Sequence, residues 1–340
     1  MRSPYSQEKL AQIMEQNRLV TQLLSRYLNY NPRFLDAKTV SELAADCEIE
    51  EGEAFRILLC AASGLDTAEN RAHRQLEKQY FIPGFHLLDT KEYTENPYYK
   101  SIQIPQIKRG RWELRQAFYA PFEPFVCGHP QITDALREIP QIGFFKETFS
   151  FPAVLEDGVE WMTVTPNEIE TMKEPIREAF GSVLTLGLGL GYYAFMVSEK
   201  EEVTSVTVVE KDADVIALFR ELILPQFPHK EKISIVHDDA FAYLKNGAKK
   251  EGFDYIFADL WHDQSDGLDL YLRLRKLEKE FPHTRFSYWI EPTLLSTLRH
   301  MVYAKLTEKN SAIRLEGISP EELLSDAFLK KLALDLKKIE

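Results

Sequence analysis

Apolar side chains recur at roughly helical spacing through the first 76 residues of the chain. The apolar positions before the first break are Leu10, Ile13, Met14, Leu19, Leu23, Leu24 and Tyr27. This spacing predicts an amphipathic helix, and Pro32 should interrupt it because proline lacks the amide hydrogen that a helix needs. Thr39 is expected to cap a short second helix, with Glu42 three residues later, and a turn near residues 47–51 leads into a third helix. Residues 1–76 are therefore predicted to form a helical module.

The two short helices of this module resemble the helix-turn-helix core of winged-helix domains. In DNA-binding versions the second helix presents basic and amide side chains to the major groove. Here that helix carries Glu51, Glu53 and only Arg56, and the whole chain has a formal net charge of -12, which repels phosphate backbones. A packing or dimerisation role is predicted rather than nucleic-acid binding, and a homodimer is one assembly that such a module would support.

The residue pattern of 77–176 is β-prone rather than helical and includes many aromatic residues and prolines. Asp157 and Gly158 lie between two β-prone runs and predict a tight hairpin turn. A helix should follow from Pro166 or Asn167 to about Phe180, with Asn167 as its cap. The region is predicted to be a small β-rich hairpin domain.

Residues 177–300 alternate between apolar, β-branched runs and helical segments. The predicted strands are residues 183–186, 203–210, 233–236 and 253–259, and the helices between them start near Tyr192, Ala213 and Ala240. Strands of this kind, alternating with helices, specify a parallel sheet covered on both faces. The fold class is therefore α/β, with a Rossmann-like doubly wound sheet. Residues 301–340 are predicted to be a C-terminal helical segment.

Four features fall in order at the carboxyl ends of these strands, where open α/β sheets bind ligands. They are the glycines Gly187, Gly189 and Gly191, then Glu210, then Asp238 and Asp239, and last Asp259. Glycines allow the backbone to turn tightly and approach a ligand closely. A carboxylate ending the second strand suits ribose hydroxyls, and acids after the third strand suit an adenine edge. The order predicts a nucleoside site.

A dinucleotide is a competing ligand, because residues 189–194 also fit the G-x-G-x-x-G/A fingerprint. Three observations count against NAD: the acidic pair after strand three, the acid after strand four, and the lack of a second mononucleotide half. A pyrophosphate would also be disfavoured beside so many carboxylates. The nucleoside is therefore predicted to be of the S-adenosylmethionine type.

On these residues, the segment 181–291 resembles class I adenosylmethionine-dependent methyltransferases and is most similar to the spermidine synthase branch. Residues 155–168 resemble the hairpin-to-helix entry of that family. The resemblance implies that the glycine run faces the methionine and ribose, that Glu210 binds the ribose hydroxyls, and that Asp238 or Asp239 binds the adenine. It also implies that Asp259 lies beside the transferring group.

The sequence departs from the aminopropyltransferases of that branch. They usually carry an aspartate in the glycine turn, where this chain has leucine or Tyr192, and a Tyr-His-Glu-type cluster on the helix before strand one, where it has Thr-Met-Lys-Glu at 171–174. Their second acid after strand four is replaced by His262, with Asp263 one further. The leading hypothesis is a methyltransferase-like enzyme acting on a small nucleophile such as an amine. The alternatives are aminopropyl transfer from decarboxylated S-adenosylmethionine and a non-catalytic nucleoside sensor.

The residues around Asp259 are the candidates for chemistry. Asp259 and His262 are predicted to be catalytic, with either as the group that removes a proton. Trp261, Asp263 and Tyr192 are expected to shape the substrate pocket. Alternatively, neither residue has a role in the site: Trp261 packs in the core and His262 lies on the surface.

Cysteine usage and hydropathy bear on metal binding and location. The three cysteines lie far apart without metal-ligand spacing, so no metal is predicted. No run approaches the ~20 apolar residues that span a membrane, and the first residues lack the apolar core of a signal peptide. A cytoplasmic, membrane-free protein is expected.

Overall fold

The computed structural model describes residues 7–307 and 319–334. Its α-helices are α1 (Gln7–Tyr30), α2 (Ala37–Cys47), α3 (Glu51–Ala62), α4 (Arg71–Leu76), α5 (Ile82–Gly84), α6 (Thr90–Thr94), α7 (Pro97–Ser101), α8 (Pro166–Glu178), α9 (Tyr192–Ser198), α10 (Ala213–Leu218), α11 (Ala240–Tyr243), α12 (Lys249–Glu251), α13 (Gln264–Glu278), α14 (Glu291–Thr307), α15 (Pro320–Leu323) and α16 (Asp326–Leu334). Its strands are β1 (Phe85–Leu87), β2 (Ile107–Arg109), β3 (Trp112–Tyr119), β4 (Phe125–Val126), β5 (Gln131–Ile132), β6 (Glu138–Ile139), β7 (Ile142–Phe144), β8 (Phe149–Glu156), β9 (Val159–Thr163), β10 (Gly181–Leu186), β11 (Val203–Glu210), β12 (Ile233–His237), β13 (Tyr255–Ala258) and β14 (Arg285–Tyr288).

Internal contacts group the chain into two compact units. The first comprises Met1–Thr90, Phe118–Ser150 and Leu298–Leu329, and the second comprises Lys91–Ala117, Phe151–Thr297 and Lys330–Glu340. Each unit therefore joins segments that are distant in sequence. The division into consecutive regions at 76, 176 and 300 stays a prediction.

The helical module of the first unit packs around α2 and α3. Val40, Phe55 and Leu59 are fully buried. The cap of α2 is Asp36, whose carboxylate accepts the Thr39 amide hydrogen at 2.8 Å, so the predicted cap at Thr39 is wrong. The aspartate lies one residue before the helix, where its short side chain can reach the free amides of the first turn.

The second unit contains the parallel sheet, in the order β12-β11-β10-β13-β14. The central strands β10, β11 and β13 are apolar and almost completely buried, as both faces of a doubly wound sheet require. The predicted α/β, Rossmann-like fold class is confirmed. The sequence missed β14, an edge strand whose partly exposed residues lack a continuous apolar run.

A four-stranded sheet of order β2-β3-β8-β9 belongs to the same unit. Strands β8 and β9 form the predicted hairpin, with φ of +50° at Asp157 and +83° at Gly158. Two successive positive φ angles are what a two-residue hairpin turn requires. The helix α8 follows, capped by Thr165 rather than by the predicted Asn167, because Pro166 occupies the first helical position.

The structure describes only part of the predicted C-terminal helical segment, residues 301–340. The structure is helical in α14, α15 and α16. The remainder of the predicted segment, residues 308–318 and 335–340, lies outside the described residues. Across the described ranges, no helix combines the length and the apolar character needed to cross a membrane.

Candidate functional site

A cavity of about 700 Å³ lies in the second unit at the carboxyl ends of the parallel strands. Eight of the predicted site residues line it: Gly187, Gly189, Glu210, Asp238, Asp239, Asp259, Trp261 and His262. Parallel strands end at one edge of their sheet, so residues separated by 75 positions in sequence converge there. The other three predicted site residues, Gly191, Tyr192 and Asp263, do not line this cavity.

The glycine loop after β10 has no room for side chains at two positions. Gly187 has φ +100°, and a Cβ there would lie 2.0 Å from the carbonyl oxygen of Asp259. Gly189 has φ +51°, and its Cβ would lie 1.7 Å from the sulfur of Met162 on β9. The absence of side chains lets the loop pass directly beside Asp259 and under the hairpin.

Gly191 and the two tyrosines after it serve packing. Gly191 is the N-cap of α9. The buried Tyr192 hydroxyl accepts a hydrogen bond from the Asn96 side chain at 3.1 Å, and Tyr193 stacks on Phe257 with ring centroids 3.9 Å apart. Tyr192 was expected to shape the substrate pocket, but its ring is buried and does not line the cavity, and Tyr193 is buried as well.

Tyr98, which the sequence did not indicate, holds the glycine loop by a hydrogen bond. Tyr98 on α7 is completely buried, and its hydroxyl donates to the Leu190 carbonyl at 2.7 Å. Its ring meets Tyr192 and Phe195 edge-on, each at 5.5 Å between centroids. No local motif distinguishes Tyr98 from the other aromatic residues of this region.

The carboxylate of Glu210 bonds both to the loop that follows β10 and to the residues that follow β11. It accepts the Leu188 amide at 3.2 Å and the Asp212 amide at 2.8 Å. The side chain is thereby held at the cavity wall with both oxygens oriented. A carboxylate has about four acceptor positions, so hydroxyl donors from a ligand can still be accommodated.

The two acids after β12, Asp238 and Asp239, have different hydrogen-bond partners. The carboxylate of Asp239 caps α11 by accepting the Ala242 amide at 2.9 Å. The carboxylate of Asp238 accepts the Asp239 amide at 2.8 Å. Because Asp239 is engaged with its own helix, Asp238 is the better placed of the two for a ligand.

Asp259 and Glu168 form an acidic wall of the cavity. Asp259 follows β13, whereas Glu168 lies in the first turn of α8, where it also bonds to the Thr165 amide at 2.9 Å. Burial raises the pKa of Asp259 to about 8, and the negative charge of Glu168 adds to the shift. Burial also raises the pKa of Glu168 to about 7. Both carboxyl groups therefore keep their protons near neutral pH for much of the time, and a bound cationic group would favour their ionisation.

The raised pKa predicts that Asp259→Asn stabilises the ligand-free protein. The unfolded carboxyl ionises near 3.8, whereas the folded one holds its proton until about pH 8. The stability that protonated Asp259 retains is therefore lost as pH rises between these values. Thermal unfolding should give the variant a higher Tm, with a larger difference at pH 8 than at pH 5. The exposed Asp269→Asn serves as control, and an equal difference at both pH values would contradict the prediction.

Trp261 and Asp263 occupy structural positions beside the site. Trp261 is buried, and its indole fills the space where Gly267 lacks a side chain. Asp263 caps α13 by accepting the Ser265 amide at 2.6 Å. His262 lies between them, with Nδ1 2.9 Å from the carboxylate of Asp266. Within residues 7–307 and 319–334, no group of three or more potential metal ligands converges.

The hairpin sheet contributes cavity residues that no motif indicated. Trp112, Glu160, Trp161 and Met162 all line the cavity. They are residues of β3 and β9, and only the folding of the hairpin against the strand ends brings them to the site. At the rim, Arg111 forms ion pairs with Asp212 and with Glu156, the latter at 3.2 Å.

The cavity lining is strongly acidic. Nine carboxylates line it: Glu156, Glu160, Glu168, Glu210, Asp212, Asp238, Asp239, Asp259 and Asp266. The lysine and arginine side chains among its lining residues are Arg111 and Lys211 only. Lys211 neighbours Glu210 in sequence and Arg111 pairs with Asp212, so both cations belong to the end of the cavity beside β11.

The parallel sheet, the glycine loop and the cavity at the strand ends define a Rossmann-like α/β domain. Residues 171–304 match the spermine/spermidine synthase domain family. This part of the chain is therefore similar to that domain family, the branch that the sequence resembles. No curated protein matches the chain significantly.

Similar solved structures share part of the chain. A provisionally named SAM-dependent methyltransferase from Streptococcus mutans is 22% identical, with a TM-score of 0.29, over 41% of this chain and 36% of that protein. Spermidine synthase from Thermotoga maritima is 16% identical, with a TM-score of 0.32, over 46% of this chain and 60% of that protein. The chain thus spans less than two thirds of the length of either protein.

Proposed function

We propose that this protein is a transferase that moves a carbon group from an adenosyl sulfonium donor to a small amine. The observation that carries the proposal is the convergence of the glycine loop, Glu210, Asp238 and Asp259 on one cavity. Without side chains at Gly187 and Gly189, the loop passes close to Asp259 and Met162, two residues that line the same cavity. The carboxylate of Glu210 suits ribose hydroxyls, and Asp238 suits the adenine edge.

The bound donor supplies an electrophilic carbon attached to positively charged sulfur. The chain's own residues position the reactants and remove a proton, which are the main requirements of an in-line displacement. Asp259 and Glu168 provide negative charge near the loop, and Trp112 and Trp161 provide aromatic faces. Carboxylates with aromatic rings are a favourable environment for a cationic amine.

Two donors are candidates. The departures from the aminopropyltransferase pattern favour adenosylmethionine and methyl transfer. The acidic lining favours the decarboxylated donor and aminopropyl transfer, because the carboxylate of ordinary adenosylmethionine would find only two cationic side chains there, Arg111 and Lys211, both at the β11 end. The spermidine synthase-like domain supports this second candidate.

Incubation with each donor and a mixture of amines and cell metabolites tests the proposal. Adenosylhomocysteine released from adenosylmethionine indicates methyl transfer, and methylthioadenosine released from the decarboxylated donor indicates aminopropyl transfer. Mass spectrometry separates the two. Neither by-product at saturating donor would reject transfer to these acceptors and favour a non-catalytic nucleoside sensor.

Glu210→Ala is expected to weaken the binding of adenosylhomocysteine by ~1.5–3 kcal/mol, the range for a hydrogen bond to a charged group. Titration calorimetry measures the change. Glu210→Gln is the matched control, because it keeps an acceptor for the Leu188 or Asp212 amide, and it should show a smaller loss. Unchanged affinity in a folded Glu210→Ala protein would reject the ribose assignment.

A further inference from the structure

His262 and Asp266 form a hydrogen-bonded pair at the cavity wall. The Nδ1 atom of His262 lies 2.9 Å from Oδ2 of Asp266. Since an ionised carboxylate only accepts, the Nδ1 hydrogen donates and Nε2 is the nitrogen that can take up a proton. Both residues line the cavity.

The carboxylate of Asp266 is itself held by backbone amides. It accepts the His262 amide at 3.1 Å and the Asp263 amide at 3.1 Å. The bond from the Asp263 amide belongs to the capping box at the start of α13. The helix terminus therefore orients the carboxylate, and the carboxylate orients the imidazole.

The hairpin supplies the other side of the imidazole. The ring of Trp161 on β9 meets the ring of His262 at 4.2 Å between centroids and an angle of 82°. Trp161 in turn packs edge-on against Trp112 at 5.7 Å. The imidazole is thus placed between an indole and a fixed carboxylate while its side chain remains 43% exposed, which keeps it accessible to a substrate.

We propose that His262 removes the proton from the attacking nucleophile and that Asp266 is the positioning residue that fixes its tautomer and orientation. The inference rests on the proposed transfer. A bond forms between the nucleophile nitrogen and the transferred carbon, the carbon–sulfur bond breaks, and its electron pair leaves with a neutral thioether. The proton from the nitrogen passes to Nε2 of His262, and Asp266 stabilises the resulting imidazolium.

In this arrangement Asp259 and Asp266 have different roles. Asp259 carries a raised pKa, so its carboxyl is a poor base at neutral pH before a cation binds. Asp266, Glu160, Glu168 and Asp259 line the same cavity as His262, and Asp263 is its neighbour in the chain at the start of α13. Of these, the carboxylate in direct hydrogen-bond contact with the imidazole is Asp266.

Asp266→Asn in the full-length protein tests the pair in two ways. Heteronuclear NMR should show that the neutral imidazole of His262, held as the Nδ1–H tautomer in the wild-type protein, becomes a mixture of tautomers, because an amide can donate to Nδ1 as well as accept from it. Turnover should fall about 10- to 100-fold at unchanged donor affinity. Asp269→Asn, an exposed acid-to-amide change on the same helix, should alter none of these properties.

The outcomes distinguish this inference from the proposed function. A lower Tm without any change in the His262 tautomer would reduce Asp266 to a helix cap and overturn the inference. A changed tautomer with unchanged turnover would overturn the role of His262 as base while leaving the transferase intact. Absence of turnover in the wild-type protein, with the donor bound, would overturn both the proposed function and the base role.

Discussion

Asp259→Asn is expected to reduce turnover about 100-fold or more while the donor remains bound. Asp259 follows β13 directly beside the glycine loop, at the place where the transferring group should lie. Its carboxylate can hold an amine in line with the sulfonium, and misplacement of a reactant by about 1 Å costs on the order of 100-fold. Steady-state kinetics and calorimetry with adenosylhomocysteine measure the two quantities separately.

The carboxamide is nearly isosteric with the protonated carboxyl, which makes the result informative. Glu168→Gln is a comparison at the same acidic wall, and we expect a smaller loss because Glu168 also bonds to the Thr165 amide. Full activity in Asp259→Asn would show that the negative charge of Asp259 is not required and would contradict its proposed place in the reaction.

Gly187→Ala is expected to destabilise the protein by about 2–5 kcal/mol and to abolish measurable donor binding. The residue needs φ +100°, which costs an alanine roughly 1–3 kcal/mol, and crowding against the Asp259 carbonyl at 2.0 Å adds a similar amount. The crowded atom belongs to the backbone, so relief requires the β13 end to move. Chemical denaturation gives the change in unfolding free energy.

Gly252→Ala is the matched control in the same unit. Gly252 also has a positive φ, +71°, but an added Cβ would have no neighbour within 4 Å. That variant should lose only the conformational part, roughly 1–3 kcal/mol, and bind the donor normally. Equal destabilisation of the two variants would mean that backbone strain alone, and not contact with Asp259, makes glycine necessary at position 187.

The core of the parallel sheet was predictable because its pattern is local. Strands β10, β11 and β13 are apolar runs separated by helices. Parallel pairing places their carboxyl ends at the same edge of the sheet, independently of the other parts of the chain. Gly187, Glu210, Asp238 and Asp259 follow such strands, so sequence position alone indicated that they meet at one cavity. Strand β14 escaped detection because an edge strand needs no continuous apolar run.

Other assignments depended on competition between neighbouring residues. Asp36 and Thr39 were both eligible to cap α2, and the aspartate caps it because it stands just outside the helix. Tyr192 stands next to the glycine loop, yet its ring is buried and its hydroxyl accepts from Asn96. Adjacency in sequence does not determine the direction of a side chain at a helix start.

The sequence by itself determined the class of fold, the order of the strands that end at the site and the acidic character of the chain. Only the tertiary structure decided that Glu168 stands beside Asp259, that Trp161 lies against His262, and that Asp266 fixes the imidazole. These contacts join a hairpin, a helix start and a strand end, and no periodicity in the chain records them. Strand pairing follows from local hydrophobic pattern, whereas side-chain placement in a cavity depends on which elements pack together and leave it open.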